Sequence, residues 1–135
     1  MEKKKLFILD DEEDIVKPLA ARFEAEDLEV GWAFEPEAGI AKLKAFKPDV
    51  VLLDVIMPKM DGWEVCRRLR EDPGTKDLSV VVMTAIMSKA LVSKAFAAKV
   101  QVITKPLSER EIAKVIEISQ RGGKQPPKPS SPASA

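Results

Sequence analysis

A chain of 135 residues is long enough to bury one hydrophobic core, so we expect a single main domain. Its 22 basic and 22 acidic side chains balance, which does not favour a nucleic acid or a membrane surface as a partner. The lack of histidine excludes histidine-based nucleophiles and histidine metal sites, and the single cysteine, Cys66, excludes an internal disulfide. No apolar run is long enough for a membrane span or a signal peptide, so we expect a cytoplasmic protein.

In the first half of the chain, short apolar runs alternate with stretches of helical periodicity. The pattern predicts strands at 6–9, 28–33 and 50–54, and helices at about 14–26, 36–46 and 62–70. Pro18 falls near the first turn of the first helix, where it is tolerable only if the helix starts late. The third strand begins with four branched apolar residues, which indicates burial on both faces, as in a parallel sheet.

The second half repeats this alternation. Strands are predicted at 79–83 and 100–104, with a helix at about 88–99 between them. Ser108 and Glu111 have the spacing of a capping box at the start of the last helix, which ends at Gly122. Residues 124–135 are almost all Pro, Ser, Ala and Lys, which predicts disorder. We therefore expect a doubly wound α/β domain over 1–121 and, over 122–135, a disordered tail or the start of a linker.

Polar side chains stand at the ends of four of the five predicted strands. Asp10 and Asp11 follow the first strand, Asp54 ends the third, Thr84 follows the fourth and Lys105 follows the fifth. Right-handed crossovers bring the carboxyl ends of parallel strands to one edge, where ligands bind, so these side chains can converge. The acids that come next along the chain, 12–14, are interpreted as solvated or as helix-start residues.

Gathered carboxylates need a compensating cation. Each like-charged pair at 4 Å costs about 4 kcal/mol at a surface-like dielectric. Oxygen ligands without histidine favour Mg²⁺, or Mn²⁺, over zinc. With Lys105 as a fixed positive charge and Thr84 as a hydroxyl donor, the set suits a phosphoryl group on Asp54 as the nucleophile. Each residue alone has an ordinary structural explanation, and only their conjunction favours the site.

The segment Leu53–Gly62 resembles the phosphoacceptor strand and the following loop of response-regulator receiver domains of bacterial two-component signalling. Asp10–Asp11 matches the acidic pair of that family, Met83–Ala85 its switch hydroxyl, and Lys105–Pro106 its lysine and proline. The likeness runs from about residue 4 to residue 121. It implies a flavodoxin-like fold with five parallel strands in the order 2-1-3-4-5 and five helices.

The resemblance also implies roles for these residues. Asp54 would accept a phosphoryl group from a histidine kinase or a histidine phosphotransfer protein. Asp11, Asp54 and the backbone carbonyl of Ile56 would bind Mg²⁺, with Asp10 acting through water. Such a receiver is not an enzyme beyond its own phosphorylation and dephosphorylation.

On phosphorylation, the resemblance implies that Lys105 pairs with the phosphoryl oxygens and that Thr84 moves to bond one of them. The change would switch the binding of a partner protein at the face of the fourth helix, fifth strand and fifth helix. Four basic residues of these helices are candidate contacts: Lys89, Lys94, Arg110 and Lys114.

The chain departs from the family pattern at Val102, where receivers usually carry a Tyr or Phe that turns inward when the threonine moves. The familiar Gly-Ala-Asp-Asp run is also replaced by the residues Ala98–Gln101. We therefore predict that phosphorylation occurs while the coupled rearrangement is smaller or differently routed.

Two other functions fit the same residues. One is a phosphatase with Asp10 as nucleophile and Glu12 as the acid two residues on, although the Asp-Gly-Thr sequence usual in such enzymes is missing and no lid domain is predicted. The other is a receiver-shaped interaction module that is never phosphorylated, as Val102 suggests. Against it, every residue needed for transfer is present.

Overall fold

Each predicted strand and helix forms in the computed structural model, which describes residues 3–57 and 60–121. The strands are β1 (Lys5–Leu9), β2 (Glu29–Ala33), β3 (Val50–Asp54), β4 (Ser79–Thr84) and β5 (Gln101–Thr104). The helices are α1 (Glu13–Glu24), α2 (Pro36–Phe46), α3 (Gly62–Glu71), α4 (Lys89–Ala98) and α5 (Glu109–Ser119). The predicted tail, 122–135, lies outside the described residues.

The five strands form one parallel sheet in the order β2-β1-β3-β4-β5. This confirms the predicted doubly wound fold and its strand order. The order reverses between β1 and β3, and ligands bind at such a switch point in open α/β sheets. Leu9 of β1 pairs with Leu53 of β3, so the chain leaves β1 at Asp10 directly beside Asp54. The fold thus fixes two of the predicted site residues as neighbours.

The sheet is covered on both faces, which explains its nearly continuous apolar strands. Side chains alternate along each strand, and one set packs against α1 and α5 while the other packs against α2, α3 and α4. The side towards α1 and α5 includes Leu6, Ile8, Leu52, Val81, Met83, Phe23, Val115 and Ile118. The opposite side includes Phe7, Leu9, Leu53, Val82, Leu43, Val65, Leu69 and Ala95.

The starts of α5 and α1 can be compared with the predicted helix starts. The capping box of α5 is confirmed, because Ser108 Oγ accepts the Glu111 N–H and the Glu111 side chain accepts the Ser108 N–H. The first helix begins at Glu13, within one residue of the predicted start, so the late start that would place Pro18 in the first turn does not occur and Pro18 lies inside α1. Pro18 has no N–H to donate to the carbonyl of Asp14, but it is exposed, so water can hydrate that carbonyl.

None of the described helices is long and apolar enough to cross a membrane.

Candidate functional site

The carboxyl edge of the sheet brings together side chains from β1, β3 and β5. Asp10 and Asp54 are buried there, with Asp54 only 5% exposed. Lys105 follows Thr104, which pairs with Thr84 at the end of β4, and the Lys105 N–H donates to the Thr84 carbonyl at 2.8 Å. The register therefore delivers Lys105 to the same edge as the two aspartates.

The ammonium of Lys105 lies among three carboxylates. Its Nζ is 2.8 Å from Asp10 Oδ2, 3.1 Å from Glu12 Oε1 and 3.5 Å from Asp54 Oδ2. One oxygen from each of these carboxylates lies within 4.8 Å of the others. This edge of the sheet therefore concentrates three negative groups around one positive group.

Backbone N–H groups orient the two buried aspartates. Asp10 Oδ1 accepts the Glu12 N–H at 2.9 Å, and Asp54 Oδ1 accepts the Ile56 N–H at 3.2 Å. The second oxygen of each aspartate faces Lys105. Among the described residues, buried Asp10 Oδ2 finds no hydrogen-bond donor of good geometry, and the nearby Lys105 ammonium compensates its charge. An incompletely compensated buried oxygen is suited to binding a further cation.

The titration of the site reflects burial first and neighbouring charge second. The pKa of Asp54 is raised to about 6, mainly by burial and then by the charge of Asp10, against the opposing effects of the Ile56 N–H and Lys105. Burial acts to lower the pKa of Lys105, but contact with Asp10 and the charges of Asp54 and Glu12 raise it above the usual value. Lys105 therefore stays charged, while Asp54 is ionised less readily than an exposed aspartate.

The Thr84 hydroxyl is engaged by its own loop. It donates to the Ile86 carbonyl at 2.9 Å and accepts the Ile86 N–H at 3.1 Å. To bond a group on Asp54, this hydroxyl would have to leave Ile86. The movement of Thr84 stays a prediction.

The other predicted metal ligands are Asp11 and the backbone carbonyl of Ile56. Asp11 is partly exposed and is not a member of the three-carboxylate cluster, in which Glu12 takes part instead. Ile56 donates its N–H to Asp54, and its side chain is 74% exposed. Metal binding by Asp11 and by the Ile56 carbonyl stays a prediction.

Sequence reasoning missed two residues at this edge. Glu12 is exposed, as predicted, but the bond from its N–H to Asp10 also turns the chain so that its carboxylate reaches Lys105. Gly62 begins α3 against the end of β3, where an added Cβ would lie 2.5 Å from the Asp54 carbonyl oxygen and from Val55 Cα. The sequence signals were the acid two residues after Asp10 and the Asp61–Gly62 pair at the start of α3.

Val102 lies in β5 opposite Val82 and packs, partly buried, against the core on the α4 side. The four basic residues named as candidate partner contacts, Lys89, Lys94, Arg110 and Lys114, are all exposed on α4 and α5. Their role in partner binding stays a prediction.

Most of the chain matches one family of known proteins. Residues 6–117 match the family described as response regulator receiver domain. The chain is 42% identical over 82 residues to the response regulator PleD of Caulobacter vibrioides, covering 61% of this chain and 18% of PleD. It is 43% identical over 68 residues to PhoP of Bacillus subtilis, an alkaline phosphatase synthesis transcriptional regulatory protein, covering 50% of this chain and 28% of PhoP.

Solved structures extend the likeness to nearly the whole domain. A two-component response regulator from Clostridium difficile superimposes with a TM-score of 0.80 and 28% sequence identity, covering 88% of this chain and 98% of that chain. By contrast, the alignments with PleD and PhoP span less than a third of those proteins. The similarity therefore concerns one domain of the longer relatives.

Proposed function

Because this chain belongs to the family of response regulator receiver domains, we propose that Asp54 accepts a phosphoryl group from a phosphohistidine in a Mg²⁺-dependent reaction. The observation that supports this most directly is the placement of a buried aspartate at the end of β3 with the Lys105 ammonium 3.5 Å away. The donor would be a sensor histidine kinase or a histidine phosphotransfer protein. The chain would act as a signal transducer, with no chemistry beyond its own phosphorylation and dephosphorylation.

In the proposed transfer, a carboxylate oxygen of Asp54 attacks phosphorus and forms the new O–P bond. The N–P bond of the phosphohistidine breaks, and its electron pair returns to the imidazole nitrogen. Asp54 must be ionised to attack, which a pKa of about 6 allows near neutral pH. Lys105, which keeps its charge, is close enough to pair with the incoming phosphoryl oxygens and to offset their negative charge.

The residues of this edge fit a divalent cation. Within residues 3–57 and 60–121, the donors are all oxygens, Asp10 Oδ2 is buried without a hydrogen bond, and three carboxylates face the Lys105 ammonium. Such a set suits a hard ion such as Mg²⁺. We assign Asp10, Asp11, Asp54 and the Ile56 carbonyl as the groups that would hold it. When bound, Mg²⁺ would neutralise the charge that gathers as Asp54 and the phosphoryl group approach.

The surface beside the site suits a protein donor. A cleft of about 590 Å³ runs from Lys105 between α1 and the start of α5, and its apolar lining includes Ile15, Pro18, Leu19, Leu107 and Ile112. Around the opening above Asp54, Ile56 and Ile86 are 74% and 76% exposed, and Met87 is also exposed. Exposed apolar side chains beside a charged centre are typical of a protein-binding surface. We propose that the histidine-bearing helix of the donor packs here.

The test is labelling with acetyl phosphate and MgCl₂, read by intact mass. Wild type is expected to gain one phosphoryl group, which peptide mapping places on Asp54. Asp54→Ala should abolish the gain, and Lys105→Ala should reduce it at least tenfold. Asp77→Asn is the matched control, because Asp77 is an exposed aspartate remote from the site, and it should label as wild type does.

Two outcomes would contradict the proposal. No gain of mass in a folded wild-type protein would favour the interaction module. A phosphoryl group mapped to Asp10 would favour the aspartate-nucleophile phosphatase.

A further inference from the structure

The Lys105 ammonium lies among the carboxylates that would attract an added cation. This ammonium is closer to Asp10 and to Glu12 than to Asp54, at 2.8, 3.1 and 3.5 Å. These are the same three carboxylates whose oxygens approach within 4.8 Å of one another. A divalent ion bound among them would lie close to the ammonium, and the two positive charges would repel each other.

Glu12 differs from the two aspartates in its freedom to move. Its backbone is held by the hydrogen bond to Asp10 Oδ1, whereas its side chain is 56% exposed. Among the ion pairs of the described residues, Glu12 pairs with Lys105 alone. Its carboxylate can therefore follow Lys105 in one state and turn to another cation in a different state.

A second observation indicates that the cluster takes a ligand. Asp10 is fully buried, and its Oδ2, which has no hydrogen-bond partner among the described residues, lies beside the carboxylates of Glu12 and Asp54. In the described part of the chain, the Lys105 ammonium is the cation that offsets this buried charge in the resting arrangement. When Lys105 moves towards a phosphoryl group on Asp54, both Asp10 and Glu12 need a new positive partner.

We propose that Glu12 is a further carboxylate of the cation site, neutralised by Lys105 at rest and available to a divalent ion once Lys105 turns to the phosphoryl group. This inference rests on the proposed function. Phosphorylation and metal binding then strengthen each other through Glu12, because each removes a competitor of the other. In the resting protein, Glu12 contributes little to metal affinity.

The proposal is tested by a double-mutant cycle on Mg²⁺ affinity. Tryptophan fluorescence or backbone amide shifts report Mg²⁺ binding, so phosphotransfer is not measured. In wild type, Glu12→Gln should change the Mg²⁺ dissociation constant less than about threefold, since the charge removed is already paired. Lys105→Gln alone should tighten Mg²⁺ binding. In that background, Glu12→Gln should weaken binding about tenfold, because the charge removed is then free.

The matched control is Glu13→Gln. Glu13 is the adjacent glutamate, and it pairs with Lys17 at 2.9 Å rather than with Lys105. Its substitution should leave Mg²⁺ affinity unchanged in both backgrounds. Circular dichroism checks that every variant is folded.

A second measurement leaves Lys105 in place, which matters if Lys105→Gln does not fold. Beryllofluoride, a phosphoryl mimic, is added to wild type and to Glu12→Gln, and the Mg²⁺ dependence is compared with and without it. The mimic should draw Lys105 from Glu12, so the penalty of Glu12→Gln should rise from less than about threefold to about tenfold.

Equal effects of Glu12→Gln in both backgrounds, or with and without the mimic, would overturn the inference. If Asp54 is phosphorylated but the cycle is additive, the role of Glu12 is refuted while the proposed function stands. If the cycle is non-additive but Asp54 takes up no phosphoryl group, the competition between Lys105 and Mg²⁺ for Glu12 stands and the proposed function fails.

Discussion

The helices on the two sides of β5 are anchored very differently. In α5, Ile112, Val115, Ile118 and Ser119 are buried, and a capping box closes the first turn. In α4, Ala95 alone is buried. Phe96, in the same helix, is 62% exposed. Local opening takes the least free energy where few apolar contacts would be lost, so α4 is the helix best able to move.

This difference separates two tasks. Lys105 lies between β5 and α5, so the group proposed to meet the phosphoryl oxygens is attached to the well-packed side. Thr84 leads into the exposed residues 85–90 and then into α4, so the group expected to respond is attached to the loosely packed side. The Lys105 side of the candidate site can therefore keep its position while α4 moves.

The largest expected effect comes from truncating a buried side chain of α5. Ile118→Ala should lower the free energy of unfolding by about 2–5 kcal/mol, because it leaves a cavity where Ile118 is now only 2% exposed. Phe96→Ala in α4 is the matched comparison and should change it by less than about 0.5 kcal/mol. Urea unfolding measures both. Similar losses would show that α4 is packed as well as α5.

The next largest effect concerns the residue that ties the end of α4 to the domain. The Arg70 guanidinium donates to the carbonyls of Ala98 and Lys99 at the end of α4, and to those of Lys76 and Leu78 before β4. Arg70→Ala should cost about 1–3 kcal/mol, since these carbonyls lose a charged donor. Hydrogen exchange should accelerate most in residues 89–98.

Arg67→Ala is the control for Arg70. Arg67 has the same side chain one turn earlier in α3, but it pairs with the glutamates Glu64 and Glu71 on the surface. Exposed ion pairs contribute little, so the free energy of unfolding should change by less than about 1 kcal/mol. If exchange in α4 rose equally for both variants, Arg70 would not be its particular anchor.

A smaller effect should depend on pH and arise at the sheet edge. Burial raises the pKa of Asp54 to about 6 from the ordinary 3.8, so the folded state holds this proton more tightly than the unfolded state. The stability contributed by this group is therefore greatest below pH 4 and is lost as the pH rises through 6. Asp54→Asn should then stabilise the protein by about 1–2 kcal/mol at pH 7.5.

The gain from Asp54→Asn should disappear near pH 4, where the wild-type carboxyl is protonated as well. Urea unfolding at both pH values measures it. Lys105 keeps Asp10 and Glu12 as partners in this variant, so α5 should stay in place. A constant difference at both pH values would show that Asp54 is not the titrating group.

The architecture was predictable because it depends on patterns that the sequence carries locally. Runs such as Val50–Leu53 and Val80–Met83 are apolar and mostly branched, and polar residues follow them, which specifies buried parallel strands. The position of Pro18 inside α1, rather than in its first turn, was not predictable in the same way. The N-cap of α1 is Glu12, whose side chain makes no capping bond, so no cap signal preceded Pro18.

At the site, the sequence predicted which residues meet but not how each is bonded. Strand ends place Asp10, Asp54 and Lys105 at one edge, because backbone register alone determines that. The positions of Glu12 and of the Thr84 hydroxyl depend on turns in which a side chain bonds the backbone two residues later. Such bonds vary with loop conformation, which residue spacing does not specify.

The smallest expected effect concerns Val102 in β5, and it tests whether the response to phosphorylation is confined to the α4 side of that strand. Val102 is partly buried against the α4-side core and carries no aromatic ring that could turn inward. On addition of acetyl phosphate and MgCl₂, amide shifts should change strongly at 84–87, moderately over 89–98, and little at Val102. Val102→Thr keeps the shape of the side chain and should give the same pattern. A large change at Val102 itself would mean that β5 takes part in the response, and that looseness of α4 alone does not explain how the signal leaves the site.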